Sequence, residues 1–233
     1  MNPINFLELI GRGVVPPVLV ATWLVMAVLL LVAIAARGAL ARAADPMVPD
    51  SRITLLSVTE AAVDGLREFV KSLLGEHRLD SYVRFFGTLF IFILAGNLLG
   101  LIPGMSPATS DTDLTWALAL FPFFYYFYIG FSEQGPGYLK SFLGPMRSAP
   151  YIPLMILMLV IEVVDNLARP FSLGIRLFAN MFADHHVLNL FTSMTYIGVP
   201  VLLYMLGLLV CVVQAFVFVL LSMIYVLMAS HEH

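Results

Sequence analysis

The apolar run from Pro150 to Tyr196 is too long for one upright membrane crossing. As a single helix it would measure roughly 70 Å at 1.5 Å per residue, more than twice the ~30 Å hydrocarbon thickness of a bilayer. It therefore tilts strongly, or begins along the membrane surface. Seven polar residues interrupt it: Glu162, Asp165, Arg169, Ser172, Arg176, Asn180 and Asp184. At about 100° per residue they fall within an arc of roughly 120° on a helix. Ionisable groups in such a segment are costly, with an arginine at mid-bilayer costing at least about 2.5–3.5 kcal/mol. A chain that lines them up on one face uses them, and an ion route is the use that fits.

Composition agrees. The chain has 233 residues, is 61% hydrophobic and 12% charged, and has a mean hydropathy of +0.95. Soluble domains are nearer 45–50% apolar and about 25% charged, so this is a polytopic, all-α integral membrane protein. Its 12 Lys and Arg are scattered and form no basic patch with aromatic platforms, which excludes nucleic acid as a partner. The net charge of −3 carries little information. Cys211 stands alone in the last apolar run, cannot form an internal disulfide, and reads as a small core hydrophobe.

Five apolar segments follow one another: 14–36, 85–102, 114–131, 150–196 and 199–229. The first exceeds a signal-peptide core in length, and Arg37 and Arg42 follow rather than precede it, so it reads as a retained span. The last, roughly 46 Å as a helix, also tilts. The two long helices form a hairpin at Ile197–Pro200, and residues 1–233 read as one membrane domain. Lys and Arg concentrate in 37–84, and Lys140 and Arg147 lie in 132–149, whereas 103–113 carries only Asp111 and Asp113. The positive-inside rule puts both basic loops in the cytoplasm, the N-terminus outside and the C-terminus inside. Within the first loop, an amphipathic cytoplasmic helix is expected over 57–74. Ser57 to Glu60 has the capping-box pattern and Gly75 the stop position. Ala62, Val63, Leu66, Phe69, Val70 and Leu73 share one face, suited to the membrane surface or to a partner subunit.

Arg176 is the central candidate. A guanidinium does not lose its proton in a protein, and snorkelling from mid-membrane is hard. It could be structural, paired with Glu162 or Asp165, but those acids lie roughly 15 Å or more away along the helix. A mobile carboxylate on another chain accounts for it better. Arg169, beside Pro170, reads equally as structural or functional. Glu162 and Asp165 lie on the cytoplasmic side of Arg176. Asn180, Asp184, His185, His186 and Asn189 lie on the outer side. Carboxylates and imidazoles relay protons, so the stripe reads as two part-way aqueous routes kept apart by a fixed cation. Adjacent Asp184, His185 and His186 diverge on a helix and no third ligand has suitable spacing, so no metal is assigned. Gln214, at the middle of the last segment, can approach Arg176 across an antiparallel hairpin or simply join two helices.

The stretch Ser172-Leu-Gly-Ile-Arg176-Leu-Phe-Ala-Asn180-Met181, followed by Gln214-Ala-Phe-Val-Phe, resembles subunit a of the F-type ATP synthase membrane sector. Asn97 to Pro103, Pro107 with Asp111 and Asp113, Glu162, and the Ala-Ser-His-Glu-His terminus extend the resemblance from about residue 50 to the end. It implies a stationary, non-catalytic subunit without cofactor. Its partners would be a ring of c subunits bearing membrane carboxylates, the peripheral-stalk b subunits and other synthase subunits, in a bacterial inner membrane. Arg176 would match the family's essential arginine, Asn180 and Gln214 polar residues near it, and Glu162 an acid on the cytoplasmic route. His185 would match a Glu or His on the outer route. One departure stands out: where many members carry His or Glu, seven residues before the glutamine, this chain has Gly207. The outer relay is then expected to run through Asp184, His185 and His186. The carried ion is H⁺ or Na⁺.

Two other classes compete. A self-contained secondary transporter or antiporter would use the stripe as a substrate site, but such folds often show internal repeats and none is visible. A non-transporting scaffold leaves the ordered stripe unexplained.

Overall fold

Long apolar runs in lipid must satisfy every backbone group internally, which leaves helices as the solution for this chain. The computed structural model describes residues 16–42, 55–76, 79–102, 104–135, 152–194 and 198–231. Among them are six α-helices and no strand. They are α1 (Pro17–Arg42), α2 (Leu55–Leu74), α3 (Leu79–Leu99), α4 (Thr112–Gln134), α5 (Ile152–Met194) and α6 (Gly198–His231), with a short 3₁₀ turn at Ala108–Ser110. Four helical stretches are long and apolar enough to cross a bilayer: Pro17–Gly38, Leu79–Leu99, Thr112–Ser132 and Gly198–Ala229. Helix α5 is long enough, but Glu162, Asp165, Arg169 and Arg176 lower its apolar character. Of the five expected segments, four therefore qualify on length and composition together.

The helices begin and end where backbone chemistry dictates. Pro17 opens α1, where a missing N–H costs nothing. Asp111 caps α4 by accepting from the Asp113 N–H at 2.9 Å. Gly75, at φ +74°, follows the last residue of α2 and donates to the Lys71 carbonyl at 3.0 Å, as its C-terminal position predicts. The start of α2 differs from expectation. It begins at Leu55, so Ser57 stands inside the first turn rather than at the cap. The bend between α3 and α4 depends on Gly100, where a Cβ would meet the Pro107 ring at 2.5 Å.

Helices α3 to α6 surround the main core, whose largest fully buried side chains include Phe86, Ile93, Tyr126, Ile129, Leu177, Met181, Phe218 and Met223. The α5–α6 hairpin is antiparallel. Arg169 faces Tyr225, Asn180 meets Gln214, and Asp184 lies against Gly207, so positions rise on one helix as they fall on the other. The turn itself, residues 195–197, lies outside the described residues. Helix α4 crosses α5 at Gly174, where an added Cβ would lie 3.4 Å from Ala119. Helix α1 is peripheral, burying Ala21 and Val25 against Leu99 and Ala108.

Much of the outer surface is apolar, with Trp23 62%, Leu30 63%, Phe124 63% and Leu202 69% exposed. Contiguous apolar surface on this scale needs lipid or protein over it. Helix α2 is more occupied than a helix resting only on lipid. Its Leu66, Phe69, Val70 and Leu73 pack into the core, and the Phe69 ring lies 4.8 Å from that of Phe216 on α6. Ala62 and Val63, on the same predicted face, stay exposed. Lys71 pairs with Glu76 at 2.6 Å and holds that exposed carboxyl below its ordinary range.

Candidate functional site

The polar stripe of α5 is one face in sequence but three environments in space. Its middle is open. Arg176 and Asn180 are exposed, and among the described residues Arg176 has no hydrogen-bond or ion-pair partner. Beneath them Leu173, Leu177 and Met181 are buried, so the outward direction of Arg176 follows from the apolar side of the helix packing inward. Asn180 Nδ2 donates to Gln214 Oε1 at 2.7 Å, and Gln214 is 4% exposed. Gln214, read from the sequence either as approaching Arg176 or as joining two helices, thus binds the asparagine one turn beyond that arginine and links α5 to α6.

The end of the stripe nearer the start of α5 is built differently. Arg169 is 7% exposed and pairs with Asp165 at 2.7 Å. Its guanidinium lies over the rings of Tyr126 at 5.3 Å and Tyr225 at 5.5 Å. One arginine therefore clasps α4, α5 and α6 through cation–π contacts. Glu162 is half-buried, and its carboxylate receives the Asn166 amide at 3.4 Å. The two acids at this end are not equivalent: Asp165 belongs to Arg169, while Glu162 faces a neutral amide.

At the other end, Asp184 and His185 turn towards α6 and the end of α3, and His186 turns away. Asp184 Oδ2 lies 3.0 Å from where a Cβ on Gly207 would sit. His185 is half-buried, with its ring near the backbone of Gly100. His186 is exposed and its Nδ1 donates to the Phe182 carbonyl at 3.0 Å. Nearby, Asn97 Nδ2 donates to the Cys211 carbonyl at 3.4 Å, and Thr109 Oγ1 donates to Asn97 Oδ1 at 2.5 Å. The three consecutive polar residues do not converge on one point.

Sequence reasoning passed over Asn166, Tyr126 and Tyr225. Asn166 had a usable signal: at 100° per residue it falls inside the same arc as the stripe, four positions after Glu162. The two tyrosines had none, because their rings reach the stripe only through the packing of α4 and α6.

The geometry agrees with what comparison finds. The family model for the ATP synthase A chain matches residues 19–227. ATP synthase subunit a of Bdellovibrio bacteriovorus is 44% identical over 201 residues, covering 85% of each chain. That of Oleidesulfovibrio alaskensis is 41% identical over 212 residues, covering 91% of this chain and 84% of the relative. A Pelobacter propionicus protein named ATP synthase subunit a 3 is 36% identical over 234 residues, covering 97% and 96%. With a matched family model over most of its length and an arginine-centred stripe on a long membrane hairpin, the chain belongs to the ATP synthase subunit a family.

Proposed function

We propose that this chain is the stationary ion-conducting subunit of a rotary ATP synthase, passing H⁺ or Na⁺ to and from carboxylates on a c-ring. The observation that carries this reading is Arg176: a permanent cation at the middle of a long helix, exposed on its open face with no acid among the described residues paired to it. In this reading α5 also crosses the membrane, which makes five crossings with the four apolar spans. The N-terminus is periplasmic, the C-terminus and α2 are cytoplasmic, and the membrane is the bacterial inner membrane. The ring covers the α5–α6 face, the b subunits of the peripheral stalk hold the assembly still, and the chain catalyses nothing by itself.

The coupling follows from electrostatics. A carboxyl carrying its ion is neutral and travels through lipid, whereas the ionised form is costly there. Beside Arg176 the ionised form is favoured, so the ion leaves by one route and another arrives by the other. Glu162, and Asp165 where Arg169 releases it, serve the inner route. Asn180, Gln214, Asp184, His185 and His186 serve the centre and the outer route. Each unit charge crossing 100 mV delivers about 2.3 kcal/mol, which rotation sums over several steps.

Two results test this. Single cysteines at Ile175 and Ala179, both exposed beside Arg176, are expected to cross-link to ring cysteines placed next to the c-subunit carboxylate. No cross-link in the intact complex would overturn the reading. Gly207→Ala probes the outer route. The substitution gains about 1 kcal/mol of helix propensity, against about 1–3 kcal/mol for crowding, so net stability changes little. The new methyl nevertheless meets Asp184 Oδ2 and Leu101 at 3.0 Å. A fall of about fivefold in ATP-driven pumping with unchanged assembly is expected if the displaced carboxylate conducts, corresponding to about 1 kcal/mol. Unchanged pumping would remove Asp184 from the route.

A further inference from the structure

At the Glu162 end of the stripe, a buried polar pair links α4 to Glu162. Tyr126 is 2% exposed and Asn166 3%. The Tyr126 hydroxyl donates to Asn166 Oδ1 at 2.7 Å. Asn166 Nδ2 donates to the Glu162 main-chain carbonyl at 2.9 Å and reaches its Oε1 at 3.4 Å. A main-chain carbonyl only accepts, so the amide nitrogen must face Glu162 and its oxygen must face the phenol. The main-chain carbonyl thereby fixes which way the amide points, and the phenol anchors the amide oxygen in that orientation. A glutamate on a helix otherwise samples several staggered side-chain states. The neighbouring acid does not share this support, since Asp165 is engaged by Arg169 at 2.7 Å.

We infer that Asn166, anchored by Tyr126, is a positioning residue that holds the Glu162 carboxyl at the edge of α5 for ion transfer on the inner route. This rests on the reading of Glu162 as an inner-route acid. The contact at 3.4 Å is long for a hydrogen bond, so the amide restrains the carboxyl without locking it. An acid that must load and unload an ion in turn requires that balance. The Tyr126–Asn166 pair also ties the acid's position to α4, so the acid keeps its place while a rotor moves past α5.

The test uses the whole ATP synthase in inverted membrane vesicles, with ATP-driven pumping normalised to ATP hydrolysis. Asn166→Leu keeps the side chain's size and removes all three of its hydrogen bonds. It is expected to lower pumping about 3- to 10-fold, the range for one net hydrogen bond lost. Tyr126→Phe, which removes a single oxygen, is expected to lower it about twofold, since the amide remains but loses the bond that anchors its oxygen. In a Glu162→Gln background neither substitution should lower pumping further, because groups acting through one side chain do not add. Normal pumping by Asn166→Leu, or an equal loss in both backgrounds, would show that Asn166 only packs, and would leave the role of Glu162 intact. Wild-type pumping by Glu162→Gln would sink that role and the inference together. Should Asn166→Leu fail to assemble, Tyr126→Phe in the two backgrounds decides by the same comparison.

Discussion

Replacing Arg176 with alanine is expected to abolish ion-driven ATP synthesis while leaving the subunit in the membrane and in the complex. The side chain is exposed and unpaired among the described residues, so its removal breaks no contact of the fold, and surface changes of this kind usually stay within about 0.5 kcal/mol. Its absence matters when a charged carboxylate passes. Two unit charges about 4 Å apart interact by about 4 kcal/mol at an effective dielectric of 20. At about 1.4 kcal/mol per tenfold, that corresponds to roughly a thousandfold in the population of the ionised carboxyl. Synthesis driven by an imposed ion gradient should therefore fall to background, with the complex purifying at wild-type yield. Arg176→Lys should recover little if the guanidinium fork matters and much if only charge does, since lysine supplies a point charge. Normal gradient-driven synthesis by the alanine variant would defeat the assignment.

Arg169→Ala should do the opposite, costing stability first. The side chain is buried between two rings and bonded to Asp165. The ion pair contributes little, because the Asp165 side chain is 57% exposed and pairs with a wet partner are worth at most about 1 kcal/mol. The two cation–π contacts add about 0.5–2 kcal/mol each, and truncating a large buried side chain leaves a void. A total of about 2–4 kcal/mol follows, read as a lower unfolding temperature of the detergent-solubilised complex or loss of the subunit on purification. Arg169→Lys should restore little of it, since an ammonium does not stack flat between two rings. If Arg169→Ala assembled with wild-type heat stability yet failed to pump, Arg169 would belong to the ion route instead of the scaffold.

These contrasting outcomes mark what could be read in one dimension. Hydrophobic run lengths and the 3.6-residue period located the helices, with ends up to six residues away at Arg42 and Leu79, and the arc of polar positions singled out one face of α5, because both depend on local geometry. The helix stop at Gly75 was legible for the same reason. Amphipathicity over 57–74 was legible too, but it could not say that Phe69 and Val70 would pack on protein, since what covers an apolar face is a tertiary matter.

The fates of the two arginines lay beyond that reach. Arg169 and Arg176 are about 20° apart on the helix, so periodicity treats them alike. Tyr126 and Tyr225 arrive at the level of Arg169 from α4 and α6 and enclose it, while no described side chain covers Arg176. Likewise only the register of the hairpin brought Gln214 to Asn180 and left space at Gly207 for Asp184. Local sequence determined where the chain is helical and which residues share a face. Which of those residues are enclosed, and which are left open to another subunit, depends on side chains far away in sequence, and only the packing of four helices brings them together.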